Sequence, residues 1–593
     1  MTNLIFPPAL IFIVGAVFIP LLPKRLKHIY IFLLPVAGLI NLLNIPEGTH
    51  FIVLFQDYTL IFGEVDRLSK VFGIIFHLIS FITVIYILNF NSNLEYTAGF
   101  LYSGSALGAV FSGDLISFFF FWEALTISSM FLILARKTRK SLQATFRYTM
   151  IHAIGGLILL AGIIIYGHEN GGSFAFGHIG LTGLGSYLIF IGFGINCAWP
   201  LLHSWLVDAY PEATIGGVVF LSAFTTKTAV YALTRAFPGE EPLIWLGAGM
   251  AAFPIFFAVI ENDLRRVLAY SLINQVGFMV VGIGIGTELA INGAVAHAFN
   301  DILFKGLLFM SVGAVMYRTG KVNATDLGGL YKSMPVTCLF CIIGAASISA
   351  FPLFSGFVSK SLIMSAAAHE QLWIVWFILL FAAAGVFHHA GIKIPFFTFY
   401  GHDAGHQVKE APLNMLIAMG ITAFLCIFIG IFPQYLYDLL PFHVDYEPYT
   451  YGHVMGQLQL LFFSAMAFTL LLLAGIYPAE IRAINIDFDW LYRKGGALAY
   501  LMLDHGLNGI NRRVNNVVAV KGVKSLNHFF ADGPARIILL IIKPFWQLSG
   551  VAIYGLYGME NRFLRKFRSN FFSIGITAIF SLWLLLLLFI LWT

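Results

Sequence analysis

The chain has 593 residues, of which 59% are hydrophobic and 11% are charged, and its formal net charge is +5. A soluble domain carries about 25% charged residues, so the composition excludes an ordinary soluble protein and predicts an all-α polytopic membrane protein. In such a protein the positive net charge indicates basic loops at one membrane surface, and we expect no binding of nucleic acid.

Apolar stretches of about 20 residues, long enough to cross a bilayer as a helix, recur along nearly the whole chain. Hydropathy windows of this length predict about sixteen spans. The predicted spans cover residues 4–22, 27–44, 71–90, 97–113, 114–135, 146–167, 184–206, 216–237, 242–261, 267–286, 290–317, 336–364, 373–400, 413–433, 455–478 and 570–592.

The loops between these spans differ in charge on the two sides of the membrane. The basic loops are 24–28, 136–140, 263–266 and 318–332, and the acidic loops are 239–241 and 445–447. Basic loops are retained in the cytoplasm. We therefore expect a multi-pass protein of the inner (cytoplasmic) membrane of the cell, with both termini on the outer side.

Two of the predicted spans contain a break. Segment 336–364 would be about 42 Å long as one helix at 1.5 Å per residue, against roughly 30 Å of hydrocarbon, and Pro352 interrupts it. Segment 184–206 is interrupted by Pro200 in the same way. Broken helices in two halves of a membrane protein point to inverted repeats around a transport site.

The predicted organisation follows from these breaks and from the tail between the spans 455–478 and 570–592, in which basic residues alternate with apolar patches. An amphipathic tail with this pattern lies on the membrane surface or on a partner subunit. The predicted parts are N-terminal helices (1–96), a first inverted repeat (97–237), a second inverted repeat (242–400), C-terminal core helices (401–478), a cytoplasmic amphipathic segment (479–569) and a terminal transmembrane anchor (570–593).

Four ionisable residues lie in or at the ends of apolar spans, namely Glu123, Lys227, Lys305 and Lys360. Charge inside the bilayer is costly and usually marks an ion path. Two alternatives stay open at this point. Lys227 could form a structural ion pair with Glu123, and Lys360 could reach the membrane interface if it lies close to it.

His297, Asp301 and Lys305 follow one another at i, i+4 and i+8. On a helix they share one face over roughly 12 Å, and we call them the polar ladder. Groups at this spacing can pass a proton through intervening water. The alternative is a buried ion pair that locks two helices.

Four further polar residues are candidates for proton uptake or release. His203 and Asp208 follow the break at Pro200, and His388 and Lys393 lie in the span 373–400. Capping and loop anchoring explain His203 and Asp208 equally well. For His388 and Lys393 the alternative is that they form hydrogen bonds with the local backbone. We find no motif for a cofactor, a metal or a catalytic nucleophile, and we expect no redox chemistry from this chain alone.

Six segments, in family order, resemble the antiporter-like subunit family shared by Mrp-type cation/proton antiporters and the membrane arm of respiratory complex I, and most of all the D-subunit type of the Mrp complexes. They are residues 112–123, 199–210, 221–231, 269–277, 297–309 and 352–360. The resemblance implies a fourteen-helix core with two inverted five-helix repeats, followed here by the amphipathic segment and the terminal helix. It also implies an ion path through Glu123, Lys227, Lys305 and Lys360, with His297 matching a family histidine.

Two positions depart from the family pattern. Where the family usually has a lysine, five residues before the proline of the first break, this chain has Ile195. Glu123 thereby lacks its usual partner, and Lys227, His203 or Asn196 could compensate. Asp301 replaces a family histidine, and could hold Lys305 charged or bind a cation.

The leading hypothesis is an ion-translocating subunit of a multi-subunit Mrp-like monovalent cation/proton antiporter, working with other membrane subunits, the lipid bilayer, protons and sodium or potassium. The first alternative is a proton-pumping subunit of a complex I-like NADH-quinone oxidoreductase or of a membrane-bound hydrogenase. The second alternative is a membrane subunit of a proton-coupled inorganic carbon uptake complex. A relative whose ion path is dead, as the loss of lysine at Ile195 suggests, is the last alternative.

Overall fold

A computed structural model describes residues 5–56, 58–477, 481, 485–568 and 574–592. The chain forms two compact units, Met1–Phe488 and Asp489–Thr593. Both are helical, which confirms the predicted all-α class. Among the described residues, eleven helices are long and apolar enough to cross a membrane.

The helices of the first unit follow the predicted spans closely. They are α1 Pro8–Phe18, α2 Lys24–Asn44, α3 Arg67–Ile87, α4 Asn93–Val110, α5 Leu115–Leu134, α6 Arg139–Glu169, α7 Leu184–Asn196, α8 Ser204–Ala209, α9 Gly217–Ala223, α10 Thr225–Ala236, α11 Glu241–Ile260, α12 Leu264–Ile285, α13 Glu288–Thr319, α14 Pro335–Ile348, α15 Ser355–His369, α16 Trp373–Val386, α17 Leu413–Ile431, α18 Gln434–Tyr437 and α19 Tyr451–Leu473. Wide helical turns continue α16 through Phe387–Lys393 and Phe396–Tyr400.

An antiparallel hairpin, β1 Gly48–Phe55 and β2 Tyr58–Val65, is absent from the sequence prediction. Each strand has 8 residues, too short for the windows that detect helical spans. Asp114 anchors the hairpin, because its carboxylate accepts a hydrogen bond from the backbone N–H of Ile61 at 2.7 Å. The same carboxylate caps α5 through the N–H of Ser117, so one side chain ties the hairpin to the start of α5.

The two breaks have the same backbone geometry. In the first, Ala198 and Leu201 have φ of 60° and 72°; in the second, Ala350 and Leu353 have φ of 57° and 73°. Each pair encloses an aromatic residue and a proline. A left-handed backbone conformation costs conformational energy at each of these four non-glycine residues. Two structurally related repeats would place it at matching positions, as observed here.

The hydrogen bonds at the breaks also match. The N–H of Trp199 donates to the carbonyl of Gly194 at 3.2 Å, and the N–H of Phe351 donates to the carbonyl of Ala346 at 3.0 Å. Each aromatic residue thus closes the same wide turn. The predicted break in each half is confirmed, while the residue limits of the two repeats stay predictions.

The basic loops lie on one face of the first unit. The guanidinium of Arg136 donates to the carbonyl of Pro211 at 2.6 Å, and that of Arg265 donates to Ala213 at 2.9 Å. The N–H of Leu264 reaches the loop after α13 by donating to the carbonyl of Val322 at 3.0 Å. These contacts place three of the four predicted basic loops together; their assignment to the cytoplasm stays a prediction.

The second unit consists of helices with large exposed apolar surfaces. They are α20 Asp489–Leu503, α21 Gly509–Val514, α22 Val523–Leu548, α23 Ile553–Arg568 and α24 Ile574–Trp592. The predicted amphipathic segment is therefore helical, and α24 falls within the predicted anchor. Of these predicted segments, residues 479, 480, 482–484, 569–573 and 593 lie outside the described residues.

Candidate ion path

The buried ionisable residues of α10, α13 and α15 meet inside the first unit. Lys227, Asp301 and Lys305 have no exposed surface, and Lys360 is 4% exposed. Helices α10 and α13 are surrounded by other helices nearly along their whole length. These ionisable side chains therefore lie in the interior of the first unit, and their role in an ion path stays a prediction.

Lys227 pairs with Asp301 and not with Glu123. Its Nζ lies 2.5 Å from Oδ2 of Asp301 and donates to the carbonyl of Ser222 at 2.9 Å. That carbonyl belongs to α9, which is separated from α10 at Phe224. The interruption leaves a backbone acceptor for the ammonium group, and the alternative of a Glu123–Lys227 pair is wrong.

Lys305 lies one helical turn after Asp301 on α13. Its Nζ is 3.5 Å from the carbonyl of Leu268 on α12, at the limit of a hydrogen bond. Asp301 is therefore placed between two lysines, with Lys227 across the helix interface and Lys305 along its own helix. Adding or removing one proton here changes the electrostatic energy of both neighbours.

His297 connects the polar ladder to two other helices. Its Nδ1 lies 3.0 Å from Oγ of Ser359, next to Lys360. Its Nε2 lies 3.2 Å from Oε1 of Gln275 on α12. Gln275 is absent from the sequence prediction, although adjacent amides at 274 and 275 inside an apolar span were a usable signal.

Lys360 is buried inside the first unit and does not extend to its surface. Its Nζ donates to the carbonyl of Ile348 at 2.8 Å and lies 5.1 Å from the ring centroid of Phe278. Ile348 is the last residue of α14, so the break supplies this acceptor as well. Lys360 also lines a cavity of about 540 Å³ between α15, α16 and α19, together with Ser361 and Gln457.

Glu123 stands apart from this group. It is half-buried on α5, and its carboxylate packs where Gly156 of α6 leaves space; a Cβ at that glycine would collide with Oε1. Oε1 is buried and has no hydrogen-bond partner among the described residues. A carboxylate oxygen in this position needs water or a proton.

A second polar pair lies next to the position of the missing lysine. The side chain of Ile195 packs on Gly155 of α6. Next to it, Oδ1 of Asn196 accepts a hydrogen bond from Nδ1 of His152 at 2.8 Å. The imidazole of His152 is held between the rings of Tyr148 and Trp205, at centroid distances of 4.2 Å and 4.5 Å.

His152 is a residue that sequence reasoning missed. It is buried on α6, and its Nε2 has no partner among the described residues. It lies one turn before Gly156, so it shares a helix face with the glycine that receives Glu123. Asn196, one of the three compensating residues considered above, is its partner; the signal was a histidine within the span 146–167.

The two predicted residues after the first break have separate partners. Asp208 forms two hydrogen bonds with the guanidinium of Arg147, at 2.6 Å and 2.8 Å. Nε2 of His203 lies 3.2 Å from both carboxylate oxygens of Asp487, which follows α19 in the chain. His203 and Asp208 therefore do not contact each other or the polar ladder through the described bonds.

The two predicted residues after α16 lie elsewhere. Nζ of Lys393 donates to the carbonyls of Val259 and Glu261 at 2.6 Å and 2.7 Å, at the end of α11. A lysine in this position satisfies the carbonyls that a helix end leaves free. His388 packs against the rings of Phe468 and Tyr477. The described bonds do not join either residue to Lys360.

A family model described as NADH:quinone oxidoreductase/Mrp antiporter, TM, matches residues 112–387, which include Glu123, Lys227, the polar ladder and Lys360. Hydrogenase-4 component B of Escherichia coli (strain K12) is 28% identical, over 64% of this chain and 63% of its own length. The A subunit of a Na(+)/H(+) antiporter from Alkalihalophilus pseudofirmus is 29% identical, over 63% of this chain and 52% of its own length.

The A1 subunit of the Staphylococcus aureus (strain JH9) Na(+)/H(+) antiporter is 26% identical, over 97% of this chain and 78% of its own length. This chain thus spans less than two thirds of the first two relatives and more than three quarters of the third. Both antiporter relatives are of the A type, whereas the sequence motifs resemble the D-subunit type most.

Solved structures share the fold. A chain of the Mrp complex from Dietzia sp. DQ12-45-1b superposes with a TM-score of 0.66 at 17% identity, over 79% of this chain and all of the other. A chain of respiratory complex I from Thermus thermophilus also gives a TM-score of 0.66, at 20% identity, over 77% of this chain and 99% of the other. The chain is therefore similar, over residues 112–387 and in its fold, to the antiporter-like membrane subunits of Mrp antiporters and NADH:quinone oxidoreductases.

Proposed function

We propose that this protein is the ion-translocating subunit of a multi-subunit, Mrp-like monovalent cation/proton antiporter. The observation that carries the proposal is the group formed by Lys227, Asp301, Lys305, His297 and Lys360, which joins three helices and has almost no exposed surface. A structural ion pair needs one partner for its carboxylate. Here the carboxylate of Asp301 belongs to a group with four other ionisable side chains.

The proposed path begins near Glu123 or His203 and continues through Lys227, the polar ladder and Lys360. Asp301 acts as the switch, because it compensates Lys227 and lies one turn from Lys305. Two unit charges 4 Å apart interact by about 4 kcal/mol at an effective dielectric of 20. Protonation of Asp301 would therefore release Lys227 and disfavour a second charge on Lys305.

The cavity beside Lys360 supports a route to the opposite side. It borders Ser361, Ser365 and His453, and Oγ of Ser365 lies 3.0 Å from the hydroxyl of Tyr446. These residues lie at the ends of α15 and α19 that are near the acidic loop 445–447. His388 and Lys393 are left outside the proposed path, because their contacts satisfy packing and a helix end.

The basic side is proposed to face the cytoplasm, with the protein in the inner membrane among partner subunits. The two A-type relatives belong to proteins named Na(+)/H(+) antiporters, which favours sodium or another monovalent cation as the exchanged ion. The relative named hydrogenase-4 component B supports the second candidate, a proton-pumping subunit of a redox complex. Both candidates use the same buried group.

The test is antiport in everted vesicles from a host without its own antiporters, expressing the complete gene cluster. A pH dye is followed during stepwise additions of sodium and potassium salts. We expect a cation-dependent pH response in the wild type and its loss in Lys305→Ala. Lys321→Ala, which removes an exposed lysine from a basic loop, serves as the matched control and should behave as the wild type.

A cation response that persists in Lys305→Ala, at equal protein abundance, would overturn the role of Lys305 as central carrier. Absence of a cation response in the wild type, with proton pumping when NADH or another reductant is added, would assign the chain to the redox-driven candidate instead.

A further inference from the structure

Residues 485–488, at the end of the first unit, lie across the basic side of α11 and α12. Two side chains hold this segment in place. The amide of Asn485 donates to Oε2 of Glu261 at 3.2 Å. The carboxylate of Asp487 accepts from the hydroxyl of Tyr270 at 2.8 Å and faces His203 as described above.

The contact between Asp487 and His203 is buried. The side chain of His203 is 1% exposed and that of Asp487 is 6% exposed. The ring of His203 packs against Phe253 at a centroid distance of 4.6 Å. Asp487 and Phe253 are thus two of the groups that bury the histidine ring.

Asp487 is held in its charged form. Burial acts to raise its pKa, but the hydrogen bond and the charge of His203, with the N–H of Phe488 and the hydroxyl of Tyr270, lower the pKa below its ordinary value. A buried charged pair is expensive to desolvate. A segment that only needed anchoring would be held as well by apolar contacts.

His203 keeps one nitrogen for another partner. Its Nδ1 is buried and bonded to no described residue. The ring therefore presents Nε2 to Asp487 and a second, unoccupied nitrogen to the protein interior at the start of α8. A histidine that binds on one side and is open on the other is the arrangement required to relay a proton.

Among the residues that the structure describes, other charged groups on this face are already paired. Arg266 of α12 lies 3.7 Å from Glu261, and Asp208 of α8 is bound by Arg147 of α6. The carboxylate of Asp487 is therefore the anion that meets His203 directly. Tyr270, which donates to Asp487, is a further titratable group at this contact.

We propose that Asp487 is a positioning residue of the transport reaction, which holds His203 in place and closes the water-facing mouth of the ion path on the basic side. Protons that reach His203 would then pass from Nδ1 into the first half. This inference rests on the proposed function, since it assigns the uptake point of the same path.

The first experiment compares the pH dependence of cation-dependent transport in the wild type, Asp487→Asn, Asp487→Glu and Asp489→Asn, in the complete complex. Asp487→Asn keeps the shape of the side chain and removes the negative charge that faces His203. We expect the pH profile of its transport activity to be displaced from that of the wild type, because the relay at His203 then works without this charge.

Asp487→Glu should restore the wild-type profile at least in part, and Asp489→Asn should leave it unchanged. Asp489 is the matched control, because it lies two residues further along and pairs with Arg493 on the surface of α20. A profile of Asp487→Asn that coincides with the wild type, at equal abundance in the membrane, would overturn the proposal.

The second experiment measures access to His203 without any transport assay. Purified complex is treated with diethyl pyrocarbonate, and modification of His203 is quantified by mass spectrometry. We expect slow modification in the wild type and at least tenfold faster modification in Asp487→Ala. Equal rates in the two proteins would show that Asp487 does not close the mouth.

The two experiments separate this inference from the proposed function. If Lys305→Ala abolishes transport while Asp487→Asn changes neither the pH profile nor access to His203, only the inference is wrong. If the wild type shows no cation response, the same pH comparison is made on reductant-driven pumping, and the access measurement stands unchanged.

Discussion

The two halves of the core have the same broken-helix backbone but different polar residues. Lys360 and Asp208 lie at the same distance in sequence beyond the proline of their break. Lys360 is a cation held by one backbone carbonyl beside a cavity. Asp208 is an anion bound through both oxygens by Arg147. The same scaffold therefore holds a buried lysine beside a cavity in one half and an ion pair in the other.

The long helices α13 and α6 also carry different polar residues. In the second half, α13 contributes Asp301 and Lys305, which interact with a lysine from the first half. In the first half, α6 contributes His152 and the small residue Gly156, which receives Glu123. With isoleucine at 195, the charge pair expected at Glu123 has no lysine, and the buried pair lies between Lys227 and Asp301 instead.

The buried charges thus gather around α13 of the second half, to which the first half contributes Lys227, whereas α6 of the first half is lined by His152, Asn196 and Glu123. The variants that follow test this difference, beginning with the one expected to cause the largest change.

Asp301→Asn should have the largest effect. It leaves Lys227 buried without a counter-charge, and breaking a buried pair in this way costs about 3–5 kcal/mol. We expect a lower unfolding temperature of the purified complex and loss of cation-dependent transport.

The control for this variant is the double change Lys227→Met with Asp301→Leu. Replacing both partners by apolar residues is often neutral for stability, so it should recover the unfolding temperature but not transport. Transport in the double variant would contradict a role for the pair in ion movement.

His152→Gln should have an intermediate effect. Glutamine can keep a hydrogen bond to Asn196 but cannot carry a proton, so we expect transport about tenfold slower, equivalent to about 1.4 kcal/mol. The rate is measured in vesicles at saturating cation.

The second change Ile195→Lys, which places a lysine at the position where the family usually has one, should restore much of the rate in His152→Gln. If His152→Gln transports at the wild-type rate, the first half does not use this histidine, and Glu123 exchanges protons by another route.

Asp208→Asn should have the smallest effect. The side chains of Arg147 and Asp208 are 29% and 14% exposed, and pairs open to solvent contribute about 0–1 kcal/mol. We expect a small decrease in unfolding temperature and an unchanged transport rate. A large loss of transport with normal stability would instead make Asp208 a carrier like Lys360.

Much of the fold could be predicted from local sequence, because each helix in a bilayer must satisfy its backbone hydrogen bonds internally and must be apolar over a fixed length. This is why the predicted spans, the break at Pro200 and the break at Pro352 agree with the structure. The charges of Lys227, Asp301, Lys305 and Lys360 stand out in the sequence for the same reason: each is costly in lipid wherever its partner lies.

Only the tertiary structure decided which of these groups meet. Lys227 could have paired with Glu123 as far as local sequence shows, and the pairing with Asp301 depends on how α10 packs against α13. The contacts of His152 with Asn196 and of His203 with Asp487 join residues far apart in the chain, with no periodic pattern to mark them. Hydropathy and helical spacing act along the chain, whereas a pair of buried polar groups is selected by the geometry of the whole bundle.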